Sequence, residues 1–261
     1  MHLQVLSSGS RGNSALVRAG ELNLLVDAGL PRVAMEQRLE CAGLGHLGLD
    51  HVLVTHGHLD HARSAGLLSR QHRATLHCSE ALISNASIRR SKRLSVYRIG
   101  EDQDLGGASA PTGVRVRPVL LPHDALPTVA FRLEHAGRVC VVLTDMGRPD
   151  PGVAARLRGA HVLVLEFNHD AELLRSGPYP APLKRRILGN AGHLSNEQAG
   201  EVLGALAGPE LHTLVLAHLS QHNNTPELAL AAACGKLAEL GLDRVAVHVA
   251  DQDEVGANLE V

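Results

Sequence analysis

The sequence predicts an α/β protein in which two β-sheets pack face to face beneath outer helices. Three observations lead there. Short β-branched and apolar runs that read as strands occur in both halves of the chain, and each half also carries helix-like stretches. Many of these runs stop at His, Asp or Glu, as they would if strand ends lined a cleft. The length is 261 residues. At about 150 residues per domain this allows one large or two small domains, and a single α/β domain of that size buries a full two-sheet core. We expect one domain over residues 1–261.

Residues 3–7 and 14–19 read as strands joined by the turn-rich Ser8-Gly9-Ser10-Arg11-Gly12-Asn13. A third strand, 22–26, ends at Asp27-Ala28-Gly29, where Asp27 either caps a turn or bonds a ligand imidazole. Pro31 opens a helix through about Leu44 with Val33, Ala34, Leu39 and Leu44 inside. His51 to Val54 reads as a buried strand and Ala62 to Arg70 as a helix. Between them lies Thr55-His56-Gly57-His58-Leu59-Asp60-His61. No fold needs three imidazoles and a carboxylate packed so closely, whereas a metal site does, and imidazole nitrogen with carboxylate oxygen suits zinc or manganese. A chain with 17 His will cluster some by chance, but chance would rarely put Asp at this spacing in a strand-to-helix junction. His56 and His58 share one side of the turn while Asp60 and His61 fall on the next, which divides naturally between two metals.

Residues 75–78 read as a strand with a helix from Ser79. Arg89, Arg90, Lys92 and Arg93 form the densest basic run, which is either a solvated helix end or a grip on phosphates. Lys184, Arg185 and Arg186 form the second such candidate run. Residues 101–113 read as a loop and 114–121 as a half-exposed strand running into His123. Residues 128–134 and 138–143 form a hairpin around Ala136-Gly137, and its second strand delivers Asp145. A buried strand over 162–165 ends in Glu166-Phe167-Asn168-His169-Asp170. There Glu166 and His169 support a ligand or face substrate, and Asn168 and Asp170 serve equally well as helix caps. The Pro-rich 178–182 reads as a stiff loop at the cleft mouth. Ser195 or Asn196 caps a helix burying Ala199, Val202, Leu203 and Leu206. Residues 211–217 form a strand ending at His218. Thr225-Pro226 starts the last long helix, through about Leu240, and 244–249 the last strand.

Composition narrows the function. Charges of 25 − 27 = −2 leave no polycation, so any nucleic-acid surface is local. With no Trp, two Tyr and two Phe, a base-stacking platform is not expected. The four scattered Cys suit a reducing compartment. The start carries no basic, apolar signal pattern and no window is apolar enough for a membrane span, so a cytoplasmic protein is expected.

His56, His58, Asp60 and His61 spell H-x-H-x-D-H, and the chain resembles the metallo-β-lactamase superfamily. The resemblance implies an αββα four-layer sandwich, two mixed β-sheets flanked by helices with the metals at one edge. It assigns His56, His58, His123 and Asp145 to one ion, and Asp60, His61, Asp145 and His218 to the other, with Asp145 bridging. Asp27 becomes a supporting carboxylate. All second-site positions are His or Asp, which argues against lactam hydrolysis. The segments Gly192-His193-Leu194-Ser195-Asn196 and Ala217-His218-Leu219-Ser220 are similar to those of ribonuclease Z, and the match makes His193 the general acid, with Asp60 the other catalytic residue and Ser195 and Asn196 beside them. The gripping arm of ribonuclease Z has no counterpart, nor is an inserted β-CASP domain expected. Over nearly the whole chain the pattern looks like the YycJ/WalJ branch, which implies a two-metal phosphodiesterase, a 5′-to-3′ DNA exonuclease of DNA repair using zinc or manganese, with DNA favoured over RNA as partner. The alternative is a small-molecule metallo-hydrolase, a thioesterase or cyclic-phosphate diesterase, which fits the near-neutral charge and poor aromatic content.

Overall fold

The structure is a computed structural model that describes residues 1–45, 47–106 and 113–261. In chain order the elements are β1 (His2–Ser7), β2 (Ser14–Ala19), β3 (Leu22–Val26), α1 (Arg32–Cys41), β4 (His51–Leu53), α2 (Leu59–Ala62), α3 (Ala65–His72), β5 (Thr75–Cys78), β6 (Leu94–Val96), β7 (Gln103–Leu105), β8 (Val114–Leu121), β9 (Thr128–His135), β10 (Arg138–Leu143), α4 (Pro151–Leu157), β11 (Val162–Glu166), α5 (Ala171–Ser176), α6 (Ala181–Ile187), α7 (Asn196–Leu206), β12 (Thr213–Ala217), α8 (Pro226–Glu239), β13 (Ala246–Val249) and β14 (Leu259–Glu260).

The strands form two seven-stranded sheets, ordered β14-β1-β2-β3-β4-β5-β6 and β13-β12-β11-β10-β9-β8-β7. Each is mixed in the same way. An antiparallel part built on β1-β2-β3 or β8-β9-β10 gives way to parallel strands β4 to β6 or β11 to β13. One apolar core lies between the sheets and includes Phe131, Val142, Val164 and Val215. A second packs Met35, Leu39 and Leu68 of α1 and α3 onto the first sheet. A third packs Leu157, Leu203 and Leu237 of α4, α7 and α8 onto the other. This is the expected four-layer α/β/β/α sandwich. Each large side chain it buries contributes about 1.5–3 kcal/mol.

Local chemistry explains most boundaries. Ala136 and Gly137, both at positive φ, close the β9–β10 hairpin. Ser195 caps α7 through a capping box with Gln198, and Thr225 caps α8 ahead of Pro226. Several expectations are corrected. Helix α1 ends at Cys41 and leaves Val33 in solvent, with Met35 and Leu39 as its buried residues. Only short 3-10 turns at Glu80–Leu82 and Ile88–Arg90 follow β5 where a helix was expected. The predicted loop 101–113 contains strand β7, and its part at 107–112 lies outside the described residues. The Pro-rich segment leads straight into α6, because Pro180 caps it and a Pro in the first turn leaves no helical hydrogen bond unmade. No helix among the described residues is long and apolar enough to cross a membrane.

Candidate metal centre

Six strand ends converge where the sheets meet. β3 delivers Asp27, β4 Thr55 and His56, β8 His123, β10 Asp145, β11 Glu166 and β12 His218, while α2 carries Asp60 and His61. Asp27, Asp145 and His218 have φ of 59°, 62° and 56°. Left-handed backbone is costly for a residue with a Cβ and concentrates at functional sites; here it turns the chain sharply off each strand. Helix α2 is pinned by backbone bonds from Asn13 N to Asp60 O (2.8 Å) and from Ala28 N to His61 O (2.7 Å). Gly29 permits this approach, since a Cβ there would stand 1.7 Å from Asp60 O. On the other side the buried Tyr97 hydroxyl donates to Val54 O (2.9 Å), fixing the end of β4.

Metal-ligating atoms fall into overlapping groups, each within 4.8 Å: His56, His58 and His123; His56, His61 and Asp145; Asp60, His61 and His218; and Asp145, Glu166, His193 and His218. The first and third are the imidazole-rich triads expected for the two ions, and Asp145 lies between them. Its Oδ2 is 3.0 Å from His61 Nε2, and its Oδ1 is 3.7 Å from His123 Nε2 and 3.9 Å from His218 Nε2. Nε2 of His56, His123 and His218 and Oδ2 of Asp145 are buried without a hydrogen-bond partner. Each such atom costs about 1–3 kcal/mol if nothing meets it. A convergent set of them fits a divalent cation.

The opposite ring nitrogens are occupied. His61 Nδ1 donates to Asp27 Oδ2 (2.7 Å), His123 Nδ1 to Gly192 O (2.9 Å) and His218 Nδ1 to Glu166 Oε1 (3.1 Å), while His56 Nδ1 meets Thr55 Oγ1 at 3.0 Å. These partners set the tautomer that leaves an Nε2 lone pair facing inward. Asp27 also accepts from Thr55 N and Oγ1 at 2.8 and 2.7 Å. Burial would lower the His61 pKa, but Asp145 and Asp27 outweigh it and hold it well above its ordinary value. Asp145, Asp60 and Glu166 likewise overcome burial and raise His218 to about 10. His56 is pushed well below its ordinary value by burial and by His61. The carboxylates that favour protons on His61 and His218 would hold a cation in their place, so metal uptake would release protons.

Glu166 is fully buried and accepts from His193 Nδ1 (2.7 Å), His218 Nδ1 and Met146 N (2.9 Å). Burial acts to raise its pKa, yet His193 and His218 hold it at about 2. His193 and Asp60 line a cleft of about 380 Å³ together with Asp145, His218, Tyr179 and Arg186.

The remaining sequence candidates lie elsewhere. His169 is buried with both ring nitrogens unpartnered and does not line the cleft. Side chains alternate past β11, so Glu166 and Asn168 face His218 while Phe167 enters the core, and His169 forms a backbone bridge with Ser195. Ser195 caps α7 and Asn196 pairs with Asn224, and neither lines the cleft. Asp170 caps α5. Arg89, Arg90, Lys92 and Arg93 sit on or after the 3-10 turn ahead of β6 and line no part of the cleft, nor do Lys184 and Arg185. Lys184 instead donates to Arg175 O (2.7 Å). Sequence reasoning missed Asn13, whose Nδ2 lies 3.0 Å from His61 Nε2, along with Asp124 and the place of Asn168 at the cleft, whereas Arg186 of the second basic run and Tyr179 of the loop expected at the cleft mouth do line it. Reading 181–187 as a helix would have placed Leu183, Arg186 and Ile187 on one face.

Residues 22–219 match the family model described as the Beta-lactamase superfamily domain. The exodeoxyribonuclease YycJ of Bacillus anthracis is 34% identical over 248 residues, 92% of this chain and 90% of that protein. The exodeoxyribonuclease WalJ of Streptococcus pneumoniae serotype 2 is 32% identical over 244 residues, 91% of this chain and 88% of that one. The crystal structure of the metallo-β-lactamase fold protein YhfI from Bacillus subtilis matches with a TM-score of 0.72 at 18% identity, covering 97% of this chain and 98% of that one, a likeness of fold.

Proposed function

The chain belongs to the metallo-β-lactamase superfamily, and from that premise we propose that it is a two-metal phosphodiesterase that removes nucleotides from DNA in the 5′-to-3′ direction during repair. The observation that carries the hydrolytic part is the set of unpartnered donors from His56, His123, His218 and Asp145. Similarity to two proteins named exodeoxyribonucleases supports the choice of DNA.

His56, His58, His123 and Asp145 would hold one ion, and Asp60, His61, Asp145 and His218 the other, zinc or manganese in each. Such a pair, when bound, supplies an activated water and neutralises charge developing on a phosphate. Asp60 is kept ionised near a pKa of about 2, against its burial, by His218 and His61. It stands at the cleft as the carboxylate that orients the attacking water. His193 donates Nδ1–H to Glu166 and lines the cleft, which leaves Nε2 for substrate. To protonate the departing sugar oxygen from Nε2, His193 must first be an imidazolium. The Glu166 carboxylate stabilises that cation, and the ring returns to neutral once the proton has gone to the alcohol product.

The test is a gel assay of 5′- and 3′-labelled single- and double-stranded DNA with each metal in turn. Manganese-loaded protein should release nucleotides from the 5′ end. His193→Ala should keep its metal and lose turnover about 10²–10⁴-fold. No cleavage of any DNA or RNA under several metals would overturn the proposal. Turnover of a chromogenic thioester or cyclic phosphate diester in its place would favour the small-molecule reading, which the modest cleft volume also allows.

A further inference from the structure

Building on the nuclease reading above, we infer that Arg186, positioned by Asp124, grips a phosphate of the substrate at the cleft. Arg186 is the one Lys or Arg among the cleft-lining residues, on a surface that otherwise presents Asp60 and Asp145 to an anionic substrate. Its Nε donates to Asp124 Oδ2 at 2.6 Å, and among the described residues the terminal NH₂ groups make no protein hydrogen bond. The side chain is 55% exposed, so those groups are open to a ligand.

Asp124 fixes where they sit. Its other oxygen, Oδ1, is 3.2 Å from His123 Nε2 and 3.5 Å from His58 Nε2, so one carboxylate ties the guanidinium to the edge of the first ligand triad. A planar guanidinium with one edge anchored and the other free suits two-point contact with phosphate oxygens, a geometry that a Lys ammonium lacks. Leu183 and Ile187 lie beside it on α6 and Tyr179 precedes the helix, giving apolar surface for the sugar and base.

The experiment measures Kd by fluorescence anisotropy for a 3′-fluorescein, 5′-phosphorylated single-stranded oligonucleotide on manganese-loaded protein in a His193→Ala background. Arg186→Ala should weaken binding about 10–100-fold. It should also flatten the dependence of log Kd on log salt by about 0.7, one phosphate contact on a single strand. Arg186→Lys should recover part of the affinity and all of the salt slope. Asp124→Asn, in the active background, should raise KM more than it lowers kcat while metal content stays at the parent level. Arg186→Ala binding within twofold of the parent, at the same salt slope, overturns the assignment alone. A parent that binds no oligonucleotide overturns the DNA reading and this assignment with it. Asp124→Asn that loses metal while binding DNA normally overturns the positioning role.

Discussion

Glu166→Gln is the most informative single change, because one carboxylate holds two imidazoles. Glutamine has nearly the same shape but offers one acceptor and one donor. If its oxygen keeps the contacts to His193 Nδ1 (2.7 Å) and His218 Nδ1 (3.1 Å), its NH₂ faces the Met146 N–H, which now donates to Glu166 at 2.9 Å. Two donors then meet in a fully buried space, at a cost of about 1–3 kcal/mol. If the amide flips, its NH₂ faces both Nδ1 atoms and drives a proton onto His218 Nε2, the nitrogen that must carry a lone pair to an ion. In either orientation two charge-assisted bonds weaken, and loss of a partner behind a metal ligand typically costs 10–100-fold in affinity, or about 1.4–2.7 kcal/mol. Calorimetric titration of manganese or zinc into apo-protein reads this directly, with turnover measured alongside. Affinity and turnover both within twofold of the parent would refute the reasoning.

Asp27→Asn should weaken the site containing His61 by about 10–100-fold in metal titration. Asn tolerates the positive φ at this position, so the change isolates the carboxylate, whereas Asp27→Ala should also lower the melting temperature. Gly29→Ala should destabilise by about 1–3 kcal/mol or more in denaturant unfolding, since its Cβ meets Asp60 O. Gly235→Ala, on α8 with open space around it, should instead stabilise by about 0.5–1 kcal/mol. His77 lies buried against His51 (3.0 Å) away from the metal ligands, and burial, then His51, push its pKa to about 4. The folded pKa is below the unfolded value of about 6.5, so the unfolded chain binds the proton more readily. Stability from this group is therefore full above pH 6.5 and declines as pH falls toward 4. Unfolding of His77→Gln at pH 7 and pH 4.5 should show a smaller acid loss than the parent; an equal loss would contradict the assignment.

The fold was legible in the apolar runs, and candidate residues stood out because an ionisable residue directly after a β-branched run has to bind or cap something. That position drew attention to His56, His123, Asp145, Glu166 and His218, while their division between two ions came from the resemblance to the superfamily. Strand-end position alone did not separate Glu166 and Asn168, which the period-two alternation turns toward His218, from His169, which is buried off the cleft lining. The basic residues were read as local density, whereas access to the cleft is decided by helix phase: Arg186 faces inward while its neighbours Lys184 and Arg185 do not. Proline was read as a connector at 178–182 although it starts α6. Asn13, joined to His61 across 48 positions, gives no local signal, since a Gly- and Ser-rich turn is common wherever two strands meet.

The central claim is that two triads of donors share Asp145 between a pair of cations. Anomalous diffraction from crystals grown with manganese or zinc tests it most directly. Two peaks per chain are predicted, one among His56, His58 and His123 and one among Asp60, His61 and His218, with Asp145 reaching both. A single peak, or peaks away from Asp145, would contradict the account.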